Sequence, residues 1–137
     1  MGKTLLHRLF GAGRIPKAML PILQQEGIVL LDEGIGGTII FRNFRAPGRR
    51  SAYRRNWFTG SLVLTGLRFA GFQFSKPIIN VPLEDRWLNE LDCSLRDETT
   101  LCVGFDSSVF HEDWSGAIEV RFTTEYARLF LERLERR

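Results

Sequence analysis

The sequence predicts a mainly β domain of α+β type: about seven antiparallel strands, one C-terminal α-helix that caps them, and a short helical arm in front. Three observations predict it. Between residues 27 and 122, apolar residues recur at every second position in a series of short runs, the period of strands that bury one face. Glycine- and proline-bearing segments separate these runs at hairpin spacing. From Thr123 the apolar spacing lengthens to three and four, the period of a helix with one buried stripe. A chain of 137 residues is one domain by length and buries roughly 65–70% of its unfolded surface, enough for a core without a staple.

Residues 1–26 read as an arm of short helical pieces, and residues 27–137 as the domain. "KTLLHRLF" stops at Gly11-Ala12-Gly13, and new turns start at Pro16 and Pro21, since proline suits a first helical turn where its missing N–H costs nothing. The prolines and glycines interrupt any amphipathic stripe, which favours an arm packed across the domain over a membrane-surface helix.

Next come the strands. "GIVLLDE" and "GTIIFRNF" flank the turn signal "GIGG", and "FTGSLVLT" pairs with "LRFAGFQF" around Gly66. In that turn Thr65 and Arg68 read as structural residues. Pro77 and Pro82 confine "PIINVPL" to a sheet edge or end, because proline has no N–H to donate to a ladder. "LNELDCSL" and "TLCVGFD" form a further hairpin, with an odd-length turn at Asp97-Glu98-Thr99. "AIEVRF" alternates cleanly. In "TTEYARLFLERLERR", Thr123 or Thr124 caps a helix whose Ala127, Phe130, Leu131 and Leu134 share one stripe, with Glu132 and Arg136 paired on the solvent side. Aligning Leu91, Cys93 and Leu95 with Leu101, Val103 and Phe105 on one face sends Cys102 to the other face from Cys93. Two free thiols follow, not a disulfide.

At "GSLVLTGLRF" (60–69) and "IINVPLED" (78–85) the chain resembles the pleckstrin-homology (PH-like) superfold, in particular GRAM-type and bacterial PH-like domains. Glycine, apolar strand, Thr65, two residues, Arg68 and apolar strand match the first motif; Pro82, Leu83 and Asp85 match the second. Asp85-Arg86-Trp87 departs from the pattern, which has a β-branched residue after the aspartate, and residues 1–26 have no counterpart. The resemblance covers roughly residues 27–136. It implies a seven-stranded antiparallel barrel or sandwich plugged at one mouth by the C-terminal helix, and a binding module without a cofactor. Some members of such a family bind acidic phospholipid headgroups at the open end; others bind only proteins.

Composition narrows the function. The longest apolar runs fall far short of the roughly 20 residues that cross a bilayer. His7 and Arg8 break up the apolar N-terminus, so no signal-peptide core is present, and Leu6 stands where myristoylation requires Ser or Thr. The expectation is a cytoplasmic protein, peripheral at the membrane if it binds lipid. The net charge of +3 conceals an asymmetry: residues 34–83 hold eight Lys/Arg and no acid, whereas residues 84–137 hold thirteen acids against seven bases. Such a split suits an anionic partner, or attraction between the halves within one chain or between copies. Catalytic signatures fail. Ile39 stands where a dinucleotide fingerprint needs its third glycine. His111-Glu112-Asp113 lacks the second histidine of a helical zinc motif, and no serine sits in a nucleophile elbow. No enzyme, metal or cofactor is expected.

The stretch "RNFRAPGRRSAYRRNWF" (42–58) concentrates the basic charge. It reads as a loop whose Arg42, Arg45, Arg49, Arg50, Arg54 and Arg55 converge around the bend at Pro47-Gly48. Guanidinium groups match phosphate oxygens in pairs, and Tyr53 and Trp57 suit a headgroup boundary. These eight residues form the expected ligand site. Two partners stay open: an anionic lipid, or a protein, including a second copy joined through the basic and acidic halves. Single-stranded nucleic acid comes third, because interleaved aromatic and basic residues suit it but no nucleic-acid motif accompanies them.

Overall fold

A computed structural model describes residues 13–135. Seven antiparallel strands form one sheet: β1 (Ile28–Ala46), β2 (Arg49–Thr65), β3 (Arg68–Gln73), β4 (Lys76–Pro82), β5 (Asp92–Asp97), β6 (Thr100–Asp106) and β7 (Ser115–Thr123). Their order is β4-β3-β2-β1-β7-β6-β5. Helix α1 (Leu20–Glu26) precedes the sheet, a single turn α2 (Asp85–Leu88) links β4 to β5, and α3 (Ala127–Glu135) ends it. The mainly β architecture with a terminal helix is as the periodicity predicts. The sheet, however, is not closed: β4 and β5 stand at the two ends of the order, with no pairing between them.

The main core lies on one face of this sheet. Leu62, Phe69, Ile79, Val81, Leu101 and Val120 alternate inward and are buried with Phe122 and Phe58. Helix α3 lays Ala127, Phe130 and Leu134 on the same cluster, with the Phe130 ring 6.4 Å from that of Phe69. Its entry is fixed by Thr124, whose hydroxyl accepts from the Tyr126 N–H and donates to Asp32 at 2.6 Å; of the two candidate threonines it is the one that makes the turn leading into the helix, although its hydroxyl bonds Tyr126 and not a first-turn N–H. Arg136 lies outside the described residues.

The opposite face carries a smaller cluster, where Val63, Ala70 and Phe72 meet Ile15 and Leu23 of the arm. Alternation along β2 and β3 therefore gives the sheet two apolar faces here, one for the core and one for the arm. "KTLLHRLF" lies outside the described residues. Of the described residues before the sheet, Ile15 and Leu23 pack on it. This segment is pinned by the Ile15 N–H donating to Glu33 at 2.7 Å and by a clasp at its end. There Glu26 receives both Nε and Nη2 of Arg68 (2.6–3.0 Å) and the Thr65 hydroxyl. Thr65 in turn accepts from the N–H groups of Leu67 and Arg68, closing the β2–β3 turn.

These hydrogen bonds, Arg68 foremost, hold the Glu26 carboxyl below the usual carboxylate range against the opposing effect of burial. A depressed folded pKa contributes stability that is present above the unfolded value, near 4.5, and lost as pH falls through the folded one. Arg68→Met leaves a half-buried carboxylate without its charged donor and is expected to cost about 2 kcal/mol at pH 7. Urea denaturation from pH 7 to 3 should show the gap between wild type and variant closing on acidification; a gap independent of pH would contradict the clasp.

Three local expectations are corrected. "GIGG" is not a turn: β1 runs unbroken through it for 19 residues. Gly34, at φ 71°, is the extra residue of a bulge where pairing with β2 shifts between Glu33 and Ile35. The arginine stretch is not a loop either, for β2 starts at Arg49 and pairs with β1 down to Ala46. Only Pro47-Gly48 turns, and proline followed by a glycine at φ 73° is a type II combination. Finally, the β5–β6 turn is the two residues Glu98-Thr99, and a bulge at Arg96 restores the apolar register. Cys93 then opposes Val103 and Cys102 opposes Ser94, so the two thiols do take opposite faces. Desolvation pushes the Cys93 thiol up to about 12, which leaves it protonated and unreactive.

Candidate functional site

Helix α3 covers only part of the inner face. Beyond its reach, a cavity of about 530 Å³ opens between the β1–β2 hairpin, the start of β4 and the β6–β7 connection, within the size range of small-molecule sites. Its floor is the inward series Ile39, Phe41, Ile79 and Ile118. The wall is aromatic: Phe44 meets Phe41 at 4.9 Å and Trp114 edge-on at 5.2 Å, and Phe105 meets Phe110 edge-on at 5.1 Å. His111 stacks on Trp114 at 3.5 Å. Asp106 forms this corner by accepting from the backbone and hydroxyl of Ser108, which starts the short 3-10 turn Ser107–Val109.

The remaining lining is polar and cationic: Arg49, Arg50 and Arg54 from β2, Lys76 from β4, with Ser51, Asn56, Gln73 and Asn80. No Asp or Glu lines the cavity. None of the three arginines makes an ion pair among the described residues. The Arg49 guanidinium is held by rings, 5.6 Å from the centre of Phe44 and 5.8 Å from that of Trp114. Arg50 stands directly across the ladder from Arg45, a like-charge cross-strand pair that is unfavourable unless an anion screens it.

Strand alternation divides the eight residues expected to act together. Arg54 and Asn56 face the cavity, so Tyr53, Arg55 and Trp57 point away. Arg42, paired in register with Tyr53, shares that back face. It donates to Glu119 at 2.9 Å and lies 5.9 Å from the Tyr53 ring. Glu119 also accepts from Arg121 at 2.6 Å; burial opposes ionisation there, but the two arginine hydrogen bonds prevail and lower its pKa. Arg55 lies 4.9 Å from the Trp57 ring, and Trp57 is 73% exposed. Arg45 sits at the hairpin tip, exposed and outside the cavity lining. The cavity lining thus brings together Arg49, Arg50 and Arg54; Arg42, Tyr53, Arg55 and Trp57 lie on the back face, and Arg45, although paired with Arg50, is not part of the lining.

Sequence reasoning did not reach Lys76, Phe44, Phe105, Phe110 or Trp114 as site residues. From sequence His111 raises only the question of a metal ligand, and among the described residues no group of three or more His, Cys, Asp or Glu is placed to hold a metal ion. No protein-family model matches the chain, and neither a curated protein nor a solved structure matches it. Among the described residues no helix is long and apolar enough to cross a membrane.

Proposed function

We propose that this chain is a non-catalytic binding module of PH-like architecture that takes an anionic phospholipid headgroup at the mouth of its cavity. The observation that carries the reading is the set Arg49, Arg50, Arg54 and Lys76 around one cavity whose lining contains no carboxylate. The strand order and the position of α3, which leaves one end of the inner face open, support the PH-like part. A planar guanidinium held against Phe44 and Trp114 keeps its hydrogen-bonding edge free for phosphate oxygens. Each basic residue at an anionic surface contributes about 1 kcal/mol.

Sedimentation with vesicles tests it. Binding to phosphatidylglycerol-containing vesicles is expected to exceed binding to phosphatidylcholine alone and to fade with salt, since screening acts over about 8 Å at physiological ionic strength. Arg49→Gln with Arg50→Gln removes two cations and should weaken binding roughly 30-fold, following about 1 kcal/mol for each. Equal retention on neutral vesicles would overturn the reading.

A second reading, contact with a protein or with another copy, is favoured by the back face, where Trp57 and Tyr53 are 73% and 57% exposed beside Arg55. Aromatic and arginine side chains are the residues enriched in protein interfaces. Light scattering on the same sample separates the two: concentration-dependent self-association without vesicle binding would favour the second.

A further inference from the structure

The cavity is deeper than a headgroup needs. A site that held only phosphate would require the arginines and a polar floor, yet below the cations lie Ile39, Phe41, Ile79 and Ile118, walled by Phe105 and Trp114. Among the described residues the outer edge of β4, which borders the cavity through residues 76–80, pairs with no further strand. Apolar surface of this kind, left uncovered by α3, is unfavourable in water and gains when a hydrocarbon group fills it. The chemistry is therefore divided by depth: hydrocarbon below, anion above.

We infer that the cavity takes a single-chain anionic amphiphile whole, its alkyl or aryl part against Ile39, Phe41, Ile79 and Ile118 and its phosphate or carboxylate among Arg49, Arg50, Arg54 and Lys76. The inference rests on the reading of those cations as an anion site and adds that the ligand is withdrawn from water or membrane rather than touched at a surface. Arg49 connects the two levels, because its guanidinium belongs to the cation set while its faces pack on Phe44 and Trp114 of the wall. Size sets a limit. About 530 Å³ accommodates one chain of moderate length, not the two chains of a diacyl lipid.

Calorimetric titration of the full chain with alkyl phosphates, each below its micelle concentration, tests this. Dodecyl phosphate is expected to bind one to one and at least 100-fold more tightly than inorganic phosphate. From hexyl upward, each added pair of methylenes should tighten binding roughly 15-fold, until the cavity is full and the gain stops. Dodecyl maltoside, with the same chain and no charge, should bind at least tenfold more weakly than dodecyl phosphate. Ile78→Trp, which puts an indole into the cavity from partly buried Ile78, should weaken dodecyl phosphate at least tenfold. If that variant does not fold, the chain-length series on the wild type decides.

Affinity independent of chain length, or equal affinity for the maltoside, overturns the inference. So does a folded Ile78→Trp protein with unaltered dodecyl phosphate binding. Vesicle binding without a chain-length effect would leave the headgroup reading standing and end this one. A chain-length effect without vesicle binding would do the reverse.

Discussion

Phe130→Ala is expected to destabilise the protein by about 4 kcal/mol, read as a lower urea midpoint with an unchanged slope. Phe130 is fully buried at the middle of the apolar stripe of α3 and packs against Phe69. Removing a buried phenylalanine side chain costs about 3–5 kcal/mol, because the hydrocarbon is lost and the space it leaves is only partly refilled. Small domains have stabilities of about 5–15 kcal/mol, so the substitution consumes a large share. The prediction also locates α3 in the functional argument. If the helix is an integral wall of the core, the sheet and helix unfold in one transition, and fluorescence and circular dichroism give the same midpoint. If it were a detachable cover, helical signal would disappear first and the sheet would keep its wild-type midpoint. No residue of α3 lines the cavity, so dodecyl phosphate binding by the folded variant should match wild type, as expected for separated sites.

What could be read from the sequence follows from which strands bury one face. β3, β6 and β7 alternate between core and solvent or arm, and their apolar period revealed them; "AIEVRF" carries Ile118, Val120 and Phe122 inward as its pattern says. The clasp was legible in outline, since a threonine, a glycine and an arginine around a tight turn are structural chemistry wherever they occur. Its partner Glu26, 42 residues before Arg68, was not, because nothing local marks that distance. "GIGG" misled because a bulge and a turn ask the same thing of a chain, a glycine able to take positive φ.

The arginine stretch misled for a different reason. Residues 49–57 of β2 extend beyond the packed core: one side borders the cavity and the other faces solvent. No buried face imposes an alternating pattern, so a paired strand looks like a polar loop. The same openness that hid the strand is what makes the site. Part of its aromatic wall, Phe105, Phe110 and Trp114, comes from residues about 50 or more positions further along, so basic residues were visible as a cluster while the hydrophobic half of the cavity was not. Alternation then decides which arginines belong: Arg54 by facing inward with Asn56, and not Arg55, its neighbour.

Gly60→Ala should be the second large loss, at about 3 kcal/mol or more, and it tests how closely β2 and β3 approach. Gly60 lies where β2 passes between β1 and β3, opposite Ile35 and Gln73. A Cβ built there falls 1.9 Å from the Phe72 carbonyl oxygen and 2.9 Å from Cε1 of Phe58. The Phe58 ring is itself buried in the core and could yield only by repacking it, and the carbonyl belongs to the neighbouring backbone. The strands must separate, which disturbs the ladder and the edge-to-face contact of Phe58 with Phe122 at 5.9 Å. Overpacking a core ordinarily costs about 1–3 kcal/mol, and more where no rotamer relieves it. Gly37 and Gly71 are tight in the same way, meeting Phe58 and Phe122. The three glycines together give two phenylalanine rings space against the sheet. Alanine at Gly48 meets no atom and suffers only the strain of a positive φ, about 1 kcal/mol. Thermal unfolding of both variants separates the mechanisms. A Gly60→Ala protein as stable as Gly48→Ala would mean that β2 and β3 do not approach as closely here as the contact with the Phe72 carbonyl requires.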